Sequence, residues 1–107
     1  MTQYNKLVRD RIPEIIAKGG KVYNTRVLDE SEYQMELRTK LVEELNEYLE
    51  AADNYSAIEE LADILEIVHA LTSVHASTAE QLESIRADKA EKRGGFKDRI
   101  YLIDVQD

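Results

Sequence analysis

Five carboxylates fall in two short runs, Glu43, Glu44 and Glu47, then Glu60 and Asp63, with twelve residues between the runs. Residues three apart share a helical face, so Glu44 with Glu47 and Glu60 with Asp63 each present a converging pair. The chain holds no cysteine, which removes thiolate sites, and no histidine pair accompanies the acids. Oxygen donors in this number suit a hard cation, Mg²⁺ or Mn²⁺, and disfavour zinc or copper. Taken singly, a helical Glu is ordinarily solvated surface. The joint pattern says more. From Leu41 to Ile85 there are eleven Asp or Glu and no Lys or Arg, whereas like charges at i,i+4 destabilise a helix and signs are normally mixed. A cation from elsewhere must balance this stretch.

Two helices are needed to position these groups. Tyr33, Leu37, Leu41, Leu45, Tyr48 and Ala52 recur at three- and four-residue spacing and predict a helix over residues 29 to about 53, capped by Asp29 or Ser31. Asn54, Tyr55 and Ser56 form a short connection, and Ser56 with Glu59 reads as a capping box opening a helix over 57 to about 76. So short a loop predicts antiparallel neighbours. Glu47 then lies seven residues before Asn54 and Glu60 six after it, which sets both pairs at one height across the gap. The second of these helices is apolar around most of its circumference, through Ile58, Leu61, Ile64, Leu65, Ile67, Val68, Leu71 and Val74. Such a helix is usually covered on several sides, and in a chain of 107 residues that predicts a homodimer or homotetramer.

The remaining elements are shorter. Residues 10–18 read as a helix capped by Asp10, with Pro13 in its first turn and Gly19-Gly20 as the stop. Val22, Tyr23, Thr25 and Val27 predict a strand or extended arm over 21–28. Ser77 or Thr78 opens a helix of about sixteen residues with Leu82, Ile85 and Ala90 inward, ended by Gly94-Gly95. The tail over 96–105 is predicted to pair with the 22–27 arm as a strand. The expected fold is all-α: one domain, 1–107, an oligomeric antiparallel bundle of about four helices with short extended arms.

Composition narrows the partners. A net charge of -8 argues against nucleic acid polymers, whose phosphates would be repelled. The longest apolar run is four residues, too short to span a membrane, and the polar N-terminus argues against a secretory signal, so a cytoplasmic location is expected.

Glu43-Glu44-Leu45-Asn46-Glu47 followed by Glu60-Leu61-Ala62-Asp63 meets the pattern Glu-Glu-x-x-Glu, spacer, Glu-x-x-Asp. In this the chain resembles the all-alpha nucleoside triphosphate pyrophosphohydrolases, which include MazG-like enzymes, dimeric dUTP and dCTP pyrophosphatases and phosphoribosyl-ATP pyrophosphohydrolase. Tyr4-Asn5-Lys6-Leu7-Val8-Arg9-Asp10-Arg11-Ile12-Pro13, with Lys92-Arg93-Gly94-Gly95-Phe96, is similar to the phosphoribosyl-ATP pyrophosphohydrolase-like branch, so the likeness spans about residues 4 to 102. It implies Mg²⁺-dependent cleavage of the α-β phosphoanhydride of a nucleoside triphosphate, giving monophosphate and pyrophosphate, as in nucleotide-pool house-cleaning. The resemblance implies Glu44, Glu47, Glu60 and Asp63 as metal ligands. Glu43, or a ligand such as Glu47, would orient or deprotonate the attacking water.

A triphosphate brings about four negative charges, so an acidic protein receives it through metal and a few fixed cations. Lys89, Lys92 and Arg93 are candidates for such a clamp, with Lys6 and Arg9 as further phosphate contacts; each also has a plainer reading as a dipole-complementing or solvated base. Three alternatives stand beside this reading: phosphoribosyl-ATP as substrate, a non-catalytic nucleotide- or metal-binding helical dimer, and a di-iron bundle. The last needs two Glu-x-x-His motifs; Glu66 and His69 make one, but Thr72 precedes His75 at the same spacing.

Overall fold

The computed structural model describes residues 2–106, and among them the chain is all-helical, with no strand. Four helices follow one another: α1 (Ile12–Lys18), α2 (Glu30–Glu50), α3 (Asn54–Val74) and α4 (Ala79–Arg93). The site helices start where side chains satisfy their first backbone N–H groups. The Asp29 carboxylate accepts from the Glu32 N–H at 2.8 Å at the head of α2, and the Thr78 hydroxyl accepts from the Gln81 N–H at 3.1 Å at the head of α4.

Two expected caps are corrected. Helix α3 opens at Asn54, not at residue 57, because Asp53 rather than Ser56 is its cap: the Asp53 carboxylate accepts from the Ser56 N–H at 2.7 Å. That bond holds the Asp53 carboxyl below the usual carboxylate range. Asp outcompetes Ser here because an ionised acceptor also favours the positive end of the helix dipole. Helix α1 takes Arg11 as its N-cap, with no side-chain hydrogen bond, in place of Asp10.

The helix ends follow backbone geometry. At α1, the Lys21 N–H donates to the Ile16 carbonyl and the Gly20 N–H to the Ala17 carbonyl, with Gly20 at φ 78°. This is the six-to-one, five-to-two bond pair that a left-handed glycine permits. Helix α3 ends the same way, through Ser77 N–H to Thr72 and Ala76 N–H to Ser73, but the left-handed position is filled by Ala76 at φ 57°. An alanine there carries a steric cost that glycine does not.

Helix α2 packs along α3, joined by residues 51–53, while α4 touches α3 lightly. Leu37 of α2 and Ile67 of α3 are the buried apolar side chains among the described residues, at 4% and 6% exposure. Much of the apolar surface expected inside stays open in the single chain: Ile58, Leu61 and Leu65 on α3, Leu45 and Tyr48 on α2, and Ile85 on α4, which is not turned inward as expected.

The predicted strand pair between 22–27 and 96–105 does not form. Val22, Val27, Phe96 and Ile103 are exposed by 83%, 97%, 98% and 86%. A two-stranded ribbon is marginal in water unless a packed layer backs one face, and here no layer does. The first of these arms is instead tied to α2 by Arg26, whose Nη1 and Nη2 donate to Glu32 Oε1 and Oε2 at 3.1 and 2.6 Å. That fork holds the Glu32 carboxyl below its usual range.

Candidate metal centre

The α2–α3 pairing brings the carboxylates together in two overlapping triads. Glu43, Glu44 and Glu47 on α2 each offer an oxygen within 4.8 Å of the others', and so do Glu44, Glu60 and Asp63 across the two helices. Glu44 belongs to both. The i,i+1,i+4 and i,i+3 spacings do this locally, and the three-residue connection brings α2 and α3 into register.

Burial grades sharply within the cluster. Glu44 is 7% exposed, Glu43, Glu60 and Asp63 are half-buried, and Glu47 is exposed. Oε2 of Glu44 and Oε2 of Glu60 are both buried and receive no hydrogen bond. Two ionised carboxylates in that position repel, whereas one proton shared between them makes a hydrogen bond. The electrostatics agree. Burial pushes the Glu44 carboxyl up to about 8, reinforced by hydrogen bonding with Glu60 and Glu47 and by the charges of Glu47 and Asp63. At Glu60 the hydrogen bond from Glu44 favours the ionised form, but burial together with Glu47 and Asp63 outweighs it, and its carboxyl also lies above the usual range.

A dication answers each of these features. It would replace the shared proton, satisfy the orphaned oxygens and cancel the repulsion, and an all-oxygen donor set fits Mg²⁺ or Mn²⁺. The residues present therefore fit such an ion, with Glu44, Glu60 and Asp63 converging from the two helices and Glu47 grouped with Glu44 on α2.

Two bases from the N-terminal segment reach the cluster. Arg9 Nη2 donates to Asp63 Oδ1 at 2.6 Å, and Lys6 Nζ lies 3.7 Å from Glu43 Oε1. The base-free stretch needs positive charge from elsewhere in the chain, and these two residues bring some of it to the carboxylates. Their reach to the cluster carries no local signal in the sequence, since the contacts join residues far apart in the chain. The bases of α4 stand apart. Among the described residues Lys92 pairs with Asp88 of its own helix at 3.1 Å, and no ion pair joins Lys89 or Arg93 to the carboxylates.

No histidine joins the acid triads among the described residues, and Glu66 and His69 are both exposed, which leaves the di-iron arrangement without its ligand set. His69 lines a cleft of about 290 Å³ between α3 and α4, with Leu65, Val68 and Leu82. A second cleft, about 370 Å³, lies at the α2–α3 connection beside Tyr48, Leu49 and Asp53. Neither is lined by the five carboxylates.

Among the described residues no helix is long and apolar enough to cross a membrane. No family model matches the chain. No solved structure matches it. An uncharacterized protein of Mycolicibacterium smegmatis (strain ATCC 700084 / mc(2)155) is 48% identical over 52 residues, which cover 49% of this chain and 52% of that protein. The chain thus spans about half the length of that curated relative.

Proposed function

We propose that the protein is a Mg²⁺-dependent nucleoside triphosphate pyrophosphohydrolase, with Mn²⁺ able to substitute, that releases nucleoside monophosphate and pyrophosphate. One observation carries this reading above the others. A buried glutamate, Glu44, with an oxygen that receives no hydrogen bond, sits at the intersection of two carboxylate triads on facing helices. Surface acids do not orphan a buried oxygen, since doing so costs the full desolvation of that atom.

In this reading Glu44, Glu47, Glu60 and Asp63 hold the metal from an antiparallel pair of helices. The bound ion supplies Lewis-acid polarisation of the phosphoryl oxygens and neutralises their charge. Glu43 or Glu47 orients a water and takes its proton as the water oxygen bonds to phosphorus and the α-β anhydride oxygen leaves with pyrophosphate. Lys6 and Arg9, and from α4 Lys89, Lys92 and Arg93, contact the phosphates. The open apolar faces of α2 and α3 belong to contacts with further copies of the chain. Its accessible area is 9929 Å² and its radius of gyration 18.4 Å, where a compact chain of this mass exposes roughly 6,100 Å² with a radius near ~13 Å. The excess of roughly 3,800 Å², shared between the open helix faces and the extended arms, exceeds what each subunit gives to an ordinary dimer interface, which supports a homodimer or homotetramer.

The test is a product assay of the purified protein with Mg²⁺ or Mn²⁺ on ribo- and deoxynucleoside triphosphates and phosphoribosyl-ATP, resolved by ion exchange. Monophosphate with pyrophosphate, abolished by chelator and by Glu47→Gln, is the expected result. Orthophosphate release would refute the cleavage position, and metal binding without turnover on any of these substrates would refute the enzyme.

A further inference from the structure

Six ion pairs occur among the described residues, and four of them are local: Lys18–Glu14, Arg26–Glu32, Arg86–Glu83 and Lys92–Asp88. The other two, Lys6–Glu43 and Arg9–Asp63, span long stretches of chain, and both end in the carboxylate cluster. They straddle it, one landing on α2 and the other on α3. Between them Leu7 and Val8 are half-buried and anchor the segment, while the Ile12 N–H bonds the Arg9 carbonyl at 3.0 Å and ties the segment to α1.

We propose that Arg9, seated on Asp63, is a built-in counter-cation that competes with the divalent ion for this carboxylate and passes to the phosphate of an anionic substrate once the ion has taken it. This rests on the metal-site reading and specifies how the site exchanges its cations. The Arg9–Asp63 contact is a single hydrogen bond, not the two-pronged fork that Arg26 makes with Glu32, so most guanidinium donors remain available to another acceptor. Both side chains are more than a third exposed, which leaves the pair open to exchange with solvent and ligand. A guanidinium and a dication on the same carboxylate repel each other, so occupation by one weakens the other. Linkage makes that antagonism reciprocal. An anionic phosphate removes it, because the displaced guanidinium then finds an acceptor beside the metal. Metal and nucleotide consequently bind with positive cooperativity beyond what their direct contact supplies, and Arg9 carries that increment.

The experiment measures Mn²⁺ affinity by titration of the electron paramagnetic resonance signal, on the full chain and on Arg9→Gln, with and without a triphosphate whose α-β bridge is a non-hydrolysable methylene. Arg11→Gln, two residues away and outside every ion pair found among the described residues, controls for the loss of one positive charge. Melting by circular dichroism establishes that each variant is folded. Without nucleotide, Arg9→Gln is expected to bind Mn²⁺ about five- to tenfold tighter than the parent and Arg11→Gln less than twofold tighter, as screening of a distant charge requires. With nucleotide, the parent gains Mn²⁺ affinity and Arg9→Gln gains much less. Amide exchange of residues 5–12 in the parent should accelerate on adding Mn²⁺ alone. Equal or weaker Mn²⁺ binding by Arg9→Gln would overturn the proposal, since it would make Arg9 a bystander or a support for Asp63, and so would a nucleotide effect of undiminished size in Arg9→Gln. Absence of Mn²⁺ binding by the parent and the variant alike would remove the metal site itself, an outcome distinguishable from the first two.

Discussion

Glu44→Gln should make the metal-free protein more stable at neutral pH while abolishing its response to metal. The reasoning runs through the proton. An unfolded chain ionises Glu44 near the ordinary value of 4.5, whereas the folded chain keeps the proton until about 8. A carboxyl raised in the folded state adds no penalty below pH 4.5, where both states are protonated, and lowers stability progressively as the pH rises from there towards 8. At pH 7 the gap is 2.5 units, or at most about 3.4 kcal/mol at 1.36 kcal/mol per unit, and solvent beside the exposed Glu47 screens part of it. Gln keeps the shape, donates a hydrogen bond toward Glu60 and has nothing to ionise. The assay is thermal melting in chelator from pH 5 to 8, for parent and variant together. Carboxyls held below their usual range, Glu32, Asp53 and Glu83, lose their contribution at acid pH in both proteins and cancel in the difference. The parent's melting temperature should fall relative to the variant's as pH rises, by up to roughly 12 to 25 °C for a chain this size. A difference that stays constant between pH 5 and 8, or that grows in the parent's favour, refutes the strained buried carboxyl.

Mg²⁺ or Mn²⁺ at one hundred times its dissociation constant should stabilise the parent by about 2.7 kcal/mol, read as a rise of roughly 10 to 20 °C by calorimetry, with no rise in Glu44→Gln. Mn²⁺ affinity should increase from pH 5 to 8, because binding must displace the Glu44 proton; a pH-independent isotherm would contradict this. Ala76→Gly should raise the urea midpoint by the equivalent of about 1 kcal/mol, since φ 57° strains an alanine and not a glycine. Lys92→Ala or Arg93→Ala, if these residues clamp phosphate, should raise KM about tenfold or more, the worth of one charge-assisted hydrogen bond; unchanged KM and kcat would assign them to the helix end alone.

What the sequence made legible was periodic or local. The three-and-four spacing on α2 and α3 located both helices, and Asp29, Thr78 and Gly20 punctuated the chain as short-range hydrogen bonding dictates. Convergence of Glu44, Glu60 and Asp63 followed from the brevity of the connection and survived a three-residue error in where α3 begins, because extending a helix backwards does not rotate residues already on it. The illegible parts depended on distance in space. Nothing in the 4–13 segment said that Arg9 would reach Asp63, fifty-four residues away. The apolar runs at 22–27 and 96–105 have strand-like composition, but a strand forms only against a partner and a backing layer, and composition contains neither.

The same facts explain why the site and the stability of this chain are difficult to separate. The helices that hold the carboxylates share a core in which Leu37 and Ile67 are the buried apolar side chains, and Glu44 is buried alongside them. Burying Glu44 raises its proton affinity, and that burial also makes it a strong ligand, since an orphaned oxygen gains most from a cation. Replacing it with a solvated acid would relax the fold and weaken the metal together. In the proposed reading three contacts would bear on the same pair of helices: the metal on the carboxylates, Arg9 on Asp63, which the structure shows at 2.6 Å, and a further copy on the open faces of α2 and α3. If they are so linked, chelation should loosen the oligomer, and dilution should weaken Mn²⁺ binding. Sedimentation across protein concentration with and without Mn²⁺ tests this directly, and an assembly state indifferent to the ion would show that the interface and the carboxylate site are energetically independent.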